Sequence, residues 1–274
     1  MRVELPEPFD FDLSVERFRT FGPDPANLWR DGALHRVFGG REARIAAAPG
    51  GVEVEPADEA LVEPVRRFLG ASFDVVGFEA FAARDAVLAR LVLSLRGFRP
   101  ALMPDAFEML VTSVTAQQVS LRAALAIRLR LVERFGRRVG EAWEFPTREG
   151  LSRARPEELR GLGFSQRKAE YVLAFAHSDV DFEALGALPD EEIREQLLRL
   201  PGIGEWTVDW FLARHLGRPD AWPAGDLGLR KAVSRFYFDG RDVSAAETRA
   251  FGERMAPFQN LAAQYLLLGM RSSG

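Results

Sequence analysis

Along residues 9–18, "FDFDLSVERF" alternates apolar and polar positions with a period of two, which predicts a half-buried strand. Residues 41–56, "REARIAAAPGGVEVEP", carry two further short runs on either side of Pro49-Gly50-Gly51 and predict a β-hairpin. The period then lengthens. "EPVRRFLG" and "RDAVLARLVLSL" place apolar residues at helical spacing. "RGFRPALMPD", residues 96–105, interrupts that pattern with two prolines and a glycine and predicts a linker.

Beyond the linker the pattern is helical almost throughout. "DAFEMLVTSVTAQQVS" opens on Asp105 with Glu108 three residues on, an acidic variant of a capping box. "LRAALAIRLRLVERFG" keeps helical spacing up to a stop at Gly136. Further starts fall at Ser165, Asp190 and Ser244, the last with Glu247 in capping-box register. "FQNLAAQYLLLGM" closes the chain as a helix. The expectation is an α+β N-terminal domain over residues 1–98 followed by an all-α domain over residues 99–274.

Composition narrows the chemistry. Of the 274 residues 47% are hydrophobic and 28% charged, enough for a core and too ordered a mixture for a disordered chain. The longest apolar runs are too short to span a bilayer. "MRVELPEPFDFD" lacks the apolar centre of a signal peptide, so a cytoplasmic protein is expected. There is no cysteine, which removes disulfides, thiolate catalysis and cysteine-held iron–sulfur clusters. His35, His177 and His215 lack metal-like spacing, so structural roles are expected for them. Lys168 and Lys231 are the only lysines, leaving two candidates for amine chemistry. The Arg-rich stretch 128–138 is expected to be a solvated helix face. A net charge of −4 disfavours bulk electrostatic coating of nucleic acid but leaves room for a local grip.

The densest signal is "LPGIGEWTVDWF", residues 200–211. Between the helices "DEEIREQLLRL" and "EWTVDWFLARHL", Gly202 and Gly204 permit a tight turn, making a helix-hairpin-helix over residues 190–216. Such a turn is either a joint between packed helices or a place where helix-start amides meet a DNA phosphate without reading a base. Trp206 and Trp210, four apart, share a helical face. They belong either to the core or to a surface on which an extruded base stacks. Asp226, in "PAGDLGLRK", precedes a new helical run as an N-cap. A cap is compatible with catalysis, because the helix dipole suits the negative charge that stabilises an oxocarbenium-like centre.

Taken together, "LPGIGEWT" and Asp226, twenty residues after Trp206, resemble the helix-hairpin-helix Gly/Pro-Asp DNA glycosylases, and most nearly their alkylation-repair branch, that of 3-methyladenine DNA glycosylase II. The resemblance extends over "DAFEMLVTSVTAQQVS", "GLGFSQRKAEYV" and "APFQNLAAQYLLLG", thus most of residues 100–270. It implies an all-α glycosylase domain behind the α+β domain and assigns roles by position. Asp226 is implied to be the essential carboxylate, and Trp206, Trp210 and Phe258 the aromatics of the base pocket. Gln118 is implied to fill the gap left by the flipped nucleotide. Gly202, Gly204 and Thr207 are implied to lie on the DNA backbone; Arg230 touches phosphates or is simple surface charge. The carbonyls of Leu198, Leu200 and Ile203 are implied to hold a monovalent Na or K ion, with no cofactor required.

Departures from the pattern sharpen the expectation. Bifunctional branches carry a lysine where this chain has Trp206, so Schiff-base strand cleavage is not expected. Gln118 is less apolar than the leucine of some relatives. The expected protein is a monomeric, monofunctional glycosylase acting on alkylated bases in double-stranded DNA, with no membrane association. The alternatives are a glycosylase for deaminated or oxidised bases, and a helix-hairpin-helix protein that binds damage without cutting.

Overall fold

The computed structural model describes residues 1–272. Five strands, β1 (Arg2–Glu4), β2 (Leu28–Arg30), β3 (Ala33–Phe38), β4 (Arg41–Ala48) and β5 (Gly51–Glu55), form an antiparallel sheet in the order β1-β5-β4-β3-β2. The predicted hairpin is β4–β5, with Ile45 opposite Val54 and Ala48 opposite Gly51. Alternation decides its faces: Ala43, Ile45, Val52 and Val54 are buried, whereas Arg44 and Glu55 pair at 3.2 Å outside.

The strand expected within residues 9–18 is instead helical, as α1 (Phe11–Ser14) and α2 (Glu16–Thr20). Asp10 accepts a hydrogen bond from the Leu13 amide at 2.8 Å and caps α1. The buried residues Phe11, Val15 and Phe18 fall at i, i+4 and i+7, a helical stripe hidden under an apparent alternation.

Three helices follow, α3 (Val62–Phe68), α4 (Val75–Ala82) and α5 (Ala86–Ser94). The stretch 96–105 is irregular, as its prolines predict, but it is anchored. The fully buried Arg99 donates to the carbonyls of Pro6, Pro8, Gly70 and Phe73 over 2.8–3.2 Å.

The remaining helices are α6 (Ala106–Ala116), α7 (Leu121–Phe135), α8 (Arg148–Ser152), α9 (Pro156–Gly161), α10 (Gln166–His177), α11 (Asp190–Leu198), α12 (Glu205–Phe211), α13 (Leu227–Tyr237), α14 (Ala245–Gly252) and α15 (Gln259–Ser272). A π-helical turn, Leu212–Leu216, prolongs α12. One core gathers Leu110, Leu131, Phe175, Leu197, Val208 and Phe211 from α6, α7 and α10–α12. A second joins Phe78 and Leu88 of α4 and α5 to Leu229, Val233, Tyr265 and Leu266 of α13 and α15. Helices from the front of the chain thus complete the core that carries α13.

Between residues 105 and 144 two expectations fail, the solvated face at Arg128 and the capping box at Glu108, and a short ribbon is added to the helices. A two-stranded ribbon, β6 (Arg137–Val139) with β7 (Ala142–Glu144), interrupts the helical run. Arg128 is not on a solvated face: it lies on the buried stripe of Ala124, Ile127, Leu131 and Val132. A guanidinium there needs partners, and it finds Asp24 at 3.0 Å and Glu108 at 2.5 Å, while Arg36 of β3 pairs with the other oxygen of Glu108 at 2.5 Å. Glu108 therefore does not close a capping box. Asp105 alone caps α6, accepting from the Glu108 amide at 2.6 Å. The network ties sheet to helices. Among the described residues no helix is long and apolar enough to cross a membrane.

Candidate active site

The hairpin between α11 and α12 turns at Gly202, whose φ of +82° lies in the left-handed region. A Cβ there would sit 2.1 Å from the Tyr171 ring, so side-chain space and backbone conformation both demand glycine. Gly204 differs. It is the N-cap of α12 with extended backbone (φ −124°, ψ 177°), and a Cβ on it would meet nothing within 4 Å. The turn is closed behind and open in front, where the first amides of α12 have no carbonyl partner inside the helix. Thr207 lies behind this face: its side chain is buried, and its amide donates to the Gly204 carbonyl at 2.9 Å. The Leu200 carbonyl accepts from the Ile203 amide at 3.2 Å, and the side chain of Leu198 is exposed.

Asp226 ends the "PAGD" turn and caps α13, its Oδ1 accepting from the Leu229 amide at 2.9 Å. Its Oδ2 accepts two more bonds, from the indole N–H of Trp206 at 3.0 Å and of Trp210 at 3.1 Å. Both oxygens are acceptors, the role of an ionised carboxylate. The i, i+4 spacing on α12 lets two indoles reach one oxygen. Trp210 is buried, and the Arg214 guanidinium lies 4.3 Å from its ring centroid, so one face and the N–H are occupied. Trp206 is half-buried: it packs against the first core and keeps part of its surface exposed.

The other expected positions lie in the α6–α7 loop, just before α15 and on α13. Gln118 is exposed in the α6–α7 loop with a φ of +54°, rare for a residue with a side chain. Val119 and Leu121 beside it are exposed apolar residues. Phe258 packs its ring against Phe78 and Phe81, with centroids 5.9 and 5.5 Å away. The Arg230 Nε donates to the Val243 carbonyl at 2.8 Å. Sequence reasoning missed Gln117, whose side-chain amide donates to the Gly202 carbonyl at 2.9 Å, and named Lys168 only as a candidate for amine chemistry, whereas its ammonium donates to the carbonyls of Thr115 and Gln117 at 3.0 and 2.5 Å. The rarity of lysine was the available signal.

Residues 111–257 match the model of the HhH-GPD superfamily of base excision DNA repair proteins. The chain belongs to this superfamily. It is similar to the DNA-3-methyladenine glycosylase of Bacillus subtilis, 26% identical over 76% of this chain and 71% of that protein. It is also similar to YfjP of the same organism, 32% identical over 58% of this chain and only 57% of the relative's length. The solved 3-methyladenine DNA glycosylase of Archaeoglobus fulgidus superposes with a TM-score of 0.90 at 30% identity, covering 99% of this chain and 98% of that one.

Asp209 and His215 of the hairpin segment and Lys168 of α10 are committed to partners. Burial raises the pKa of Asp209, one turn past Glu205, although Arg194 donates to it at 2.7 Å. Burial lowers the pKa of Lys168. Lys231 is exposed on α13. Burial pushes His215 down to about 4, and its Nδ1 bonds the Met103 carbonyl at 2.7 Å, a structural role. No cluster of three or more His, Asp or Glu side chains suited to a metal ion occurs among the described residues.

Proposed function

We propose that the chain is a monofunctional DNA glycosylase that flips alkylated bases of the 3-methyladenine and 7-methylguanine type out of duplex DNA and hydrolyses their N-glycosidic bond with the help of Asp226. The carrying observation is the double indole bond to Asp226 Oδ2 beside the half-buried ring of Trp206. A carboxylate so held stabilises positive charge at the sugar without reorganising during the reaction. The C1′–N bond breaks and its electron pair leaves with the base; water adds at C1′ and loses a proton, giving free base and an abasic site. Alkylation at N3 or N7 makes the base cationic, so no general acid is required.

Trp206 offers a stacking surface to such a base. Trp210 contributes by orienting Asp226, since its own face is taken by Arg214. The absence of a lysine at position 206 removes the amine that a lyase reaction would need. Gly204 and the amides around it receive a phosphate, with Gln118 entering the vacated stack. The neutral carbonyls of Leu198, Leu200 and Ile203 suit a monovalent hard cation better than a transition metal. Such an ion would steady the hairpin only.

The test is base-release profiling on duplex DNA carrying mixed alkyl lesions. The expected products are 3-methyladenine and 7-methylguanine with intact abasic strands. Release of deaminated or oxidised bases alone would move the substrate class, and lesion binding without release would leave a damage-binding protein.

A further inference from the structure

Gln118 is a strained tip on a firmly held base. Its φ of +54° is a conformation that residues with a side chain rarely adopt, and it persists only where surrounding bonds enforce it. Those bonds come from two neighbours. Lys168, in the first turn of α10, donates to the Thr115 and Gln117 carbonyls, at the end of α6 where helix carbonyls lack partners and a positive charge is favoured. Gln117 sends its side-chain amide across to the Gly202 carbonyl at 2.9 Å. One chain of hydrogen bonds therefore runs from α10 through the α6–α7 loop into the hairpin turn.

We propose that Lys168 and Gln117 form a clamp that fixes the Gln118-Val119 tip relative to the hairpin, so that wedge and backbone grip meet the DNA as one rigid unit. The inference rests on the reading of the chain as a base-flipping glycosylase. Ordering a free loop costs conformational entropy, on top of the cost of unstacking a paired base. A preset tip avoids the first cost at every encounter. Both residues are positioning residues, acting on flipping through Gln118 and not on bond cleavage.

The experiment compares single-turnover release of one lesion from a paired site and from an unpaired bulge, with 2-aminopurine beside the lesion reporting flipping. Gln117→Ala and Lys168→Met are expected to slow release from the paired lesion about tenfold or more, with the fluorescence rise slowed in step. On the bulged lesion the loss is expected to stay within about threefold, because no stack has to be opened. Lys168→Arg, which keeps a cationic donor, should recover most of the rate. Equal losses on both substrates, or wild-type rates on both, overturn the clamp. If Lys168→Met fails to fold, Gln117→Ala carries the same contrast. A wild-type protein that raises the fluorescence but releases no base contradicts the glycosylase reading instead, and the clamp is then judged on the fluorescence rate.

Discussion

Trp206 donates its indole N–H to Asp226 Oδ2 over 3.0 Å, joining the first turn of α12 to the cap of α13 across twenty residues of chain. The same side chain is thus asked to orient a carboxylate and to receive a base, and substitution can separate the two. Trp206→Phe keeps an aromatic face but loses the donor. A hydrogen bond to a charged group is worth about 1.5–3 kcal/mol, so single-turnover release should fall about 10- to 100-fold with lesion affinity little changed. Trp206→Ala should in addition weaken lesion binding by roughly 1–3 kcal/mol. Anisotropy titrations on lesion-analogue and plain duplexes, beside rate measurements, check this; equal weakening on both duplexes would make Trp206 a core residue only.

The two hairpin glycines should respond in opposite ways. Gly202→Ala forces a Cβ onto Tyr171 at a positive φ and should lower the melting temperature. Gly204→Val meets open space and an ordinary backbone conformation, so the fold should survive. It should nevertheless weaken binding of damaged and undamaged DNA alike, because it projects from the face assigned to a phosphate. Few phosphates are engaged in such a grip, and the slope of log affinity against log salt should be shallow, roughly −2 to −5. A stable Gly204→Val variant with wild-type DNA affinity would remove the hairpin from the interface.

Borohydride should trap no protein–DNA adduct. The hairpin position where a lyase would need an amine is Trp206, and Lys168 is spent on two backbone carbonyls. An adduct that disappears with substitution of Lys168 or Lys231 would show an amine nucleophile in the site. Release should also persist in EDTA, a loss restored by zinc or magnesium being the contrary result.

The buried network predicts an acid-sensitive fold. Burial alone would raise the pKa of Glu108 and Asp24, but the Arg128 and Arg36 guanidinium groups outweigh it and hold them below 4.5 and 3.8. Carboxylates with depressed folded pKa values stabilise the fold fully above those ordinary values, and the contribution is lost as pH falls through the lower folded ones. Denaturation midpoints should therefore decline below pH 4.5, and Glu108→Gln should reduce that dependence while lowering stability at neutral pH. Arg128→Met leaves two buried carboxylates short of a partner and should cost about 3–5 kcal/mol. Unchanged midpoints in Arg128→Met would show the network to be dispensable.

What the sequence made legible was what local chemistry encodes. The caps at Ser165 and Ser244, the β4–β5 hairpin and the turn at Gly202 rest on residues within a few positions of one another. Phe11, Val15 and Phe18 were misread because a period of two and a helical stripe overlap in so short a segment. Arg128 was misread for a different reason: its counterions, Glu108 and Asp24, lie 20 and 104 residues away, and no local pattern announces them. The pairing of Trp206 and Trp210 on one face was visible, but their shared acceptor was not, since that depends on how α12 meets α13. The roles of Gln117 and Lys168 were hidden for the same reason, each bonding backbone carbonyls on another element.

Single-turnover release of 3-methyladenine and 7-methylguanine by wild-type protein and by Asp226→Asn, with lesion-analogue affinity measured on the same preparations, tests the central claim most directly. Asparagine can still cap α13 through its carbonyl oxygen, but its amide cannot accept the two indole bonds or carry the negative charge. The account predicts release by the wild type, none measurable by the folded variant, and affinities within about tenfold of each other. Near-normal release by a folded Asp226→Asn variant would contradict it.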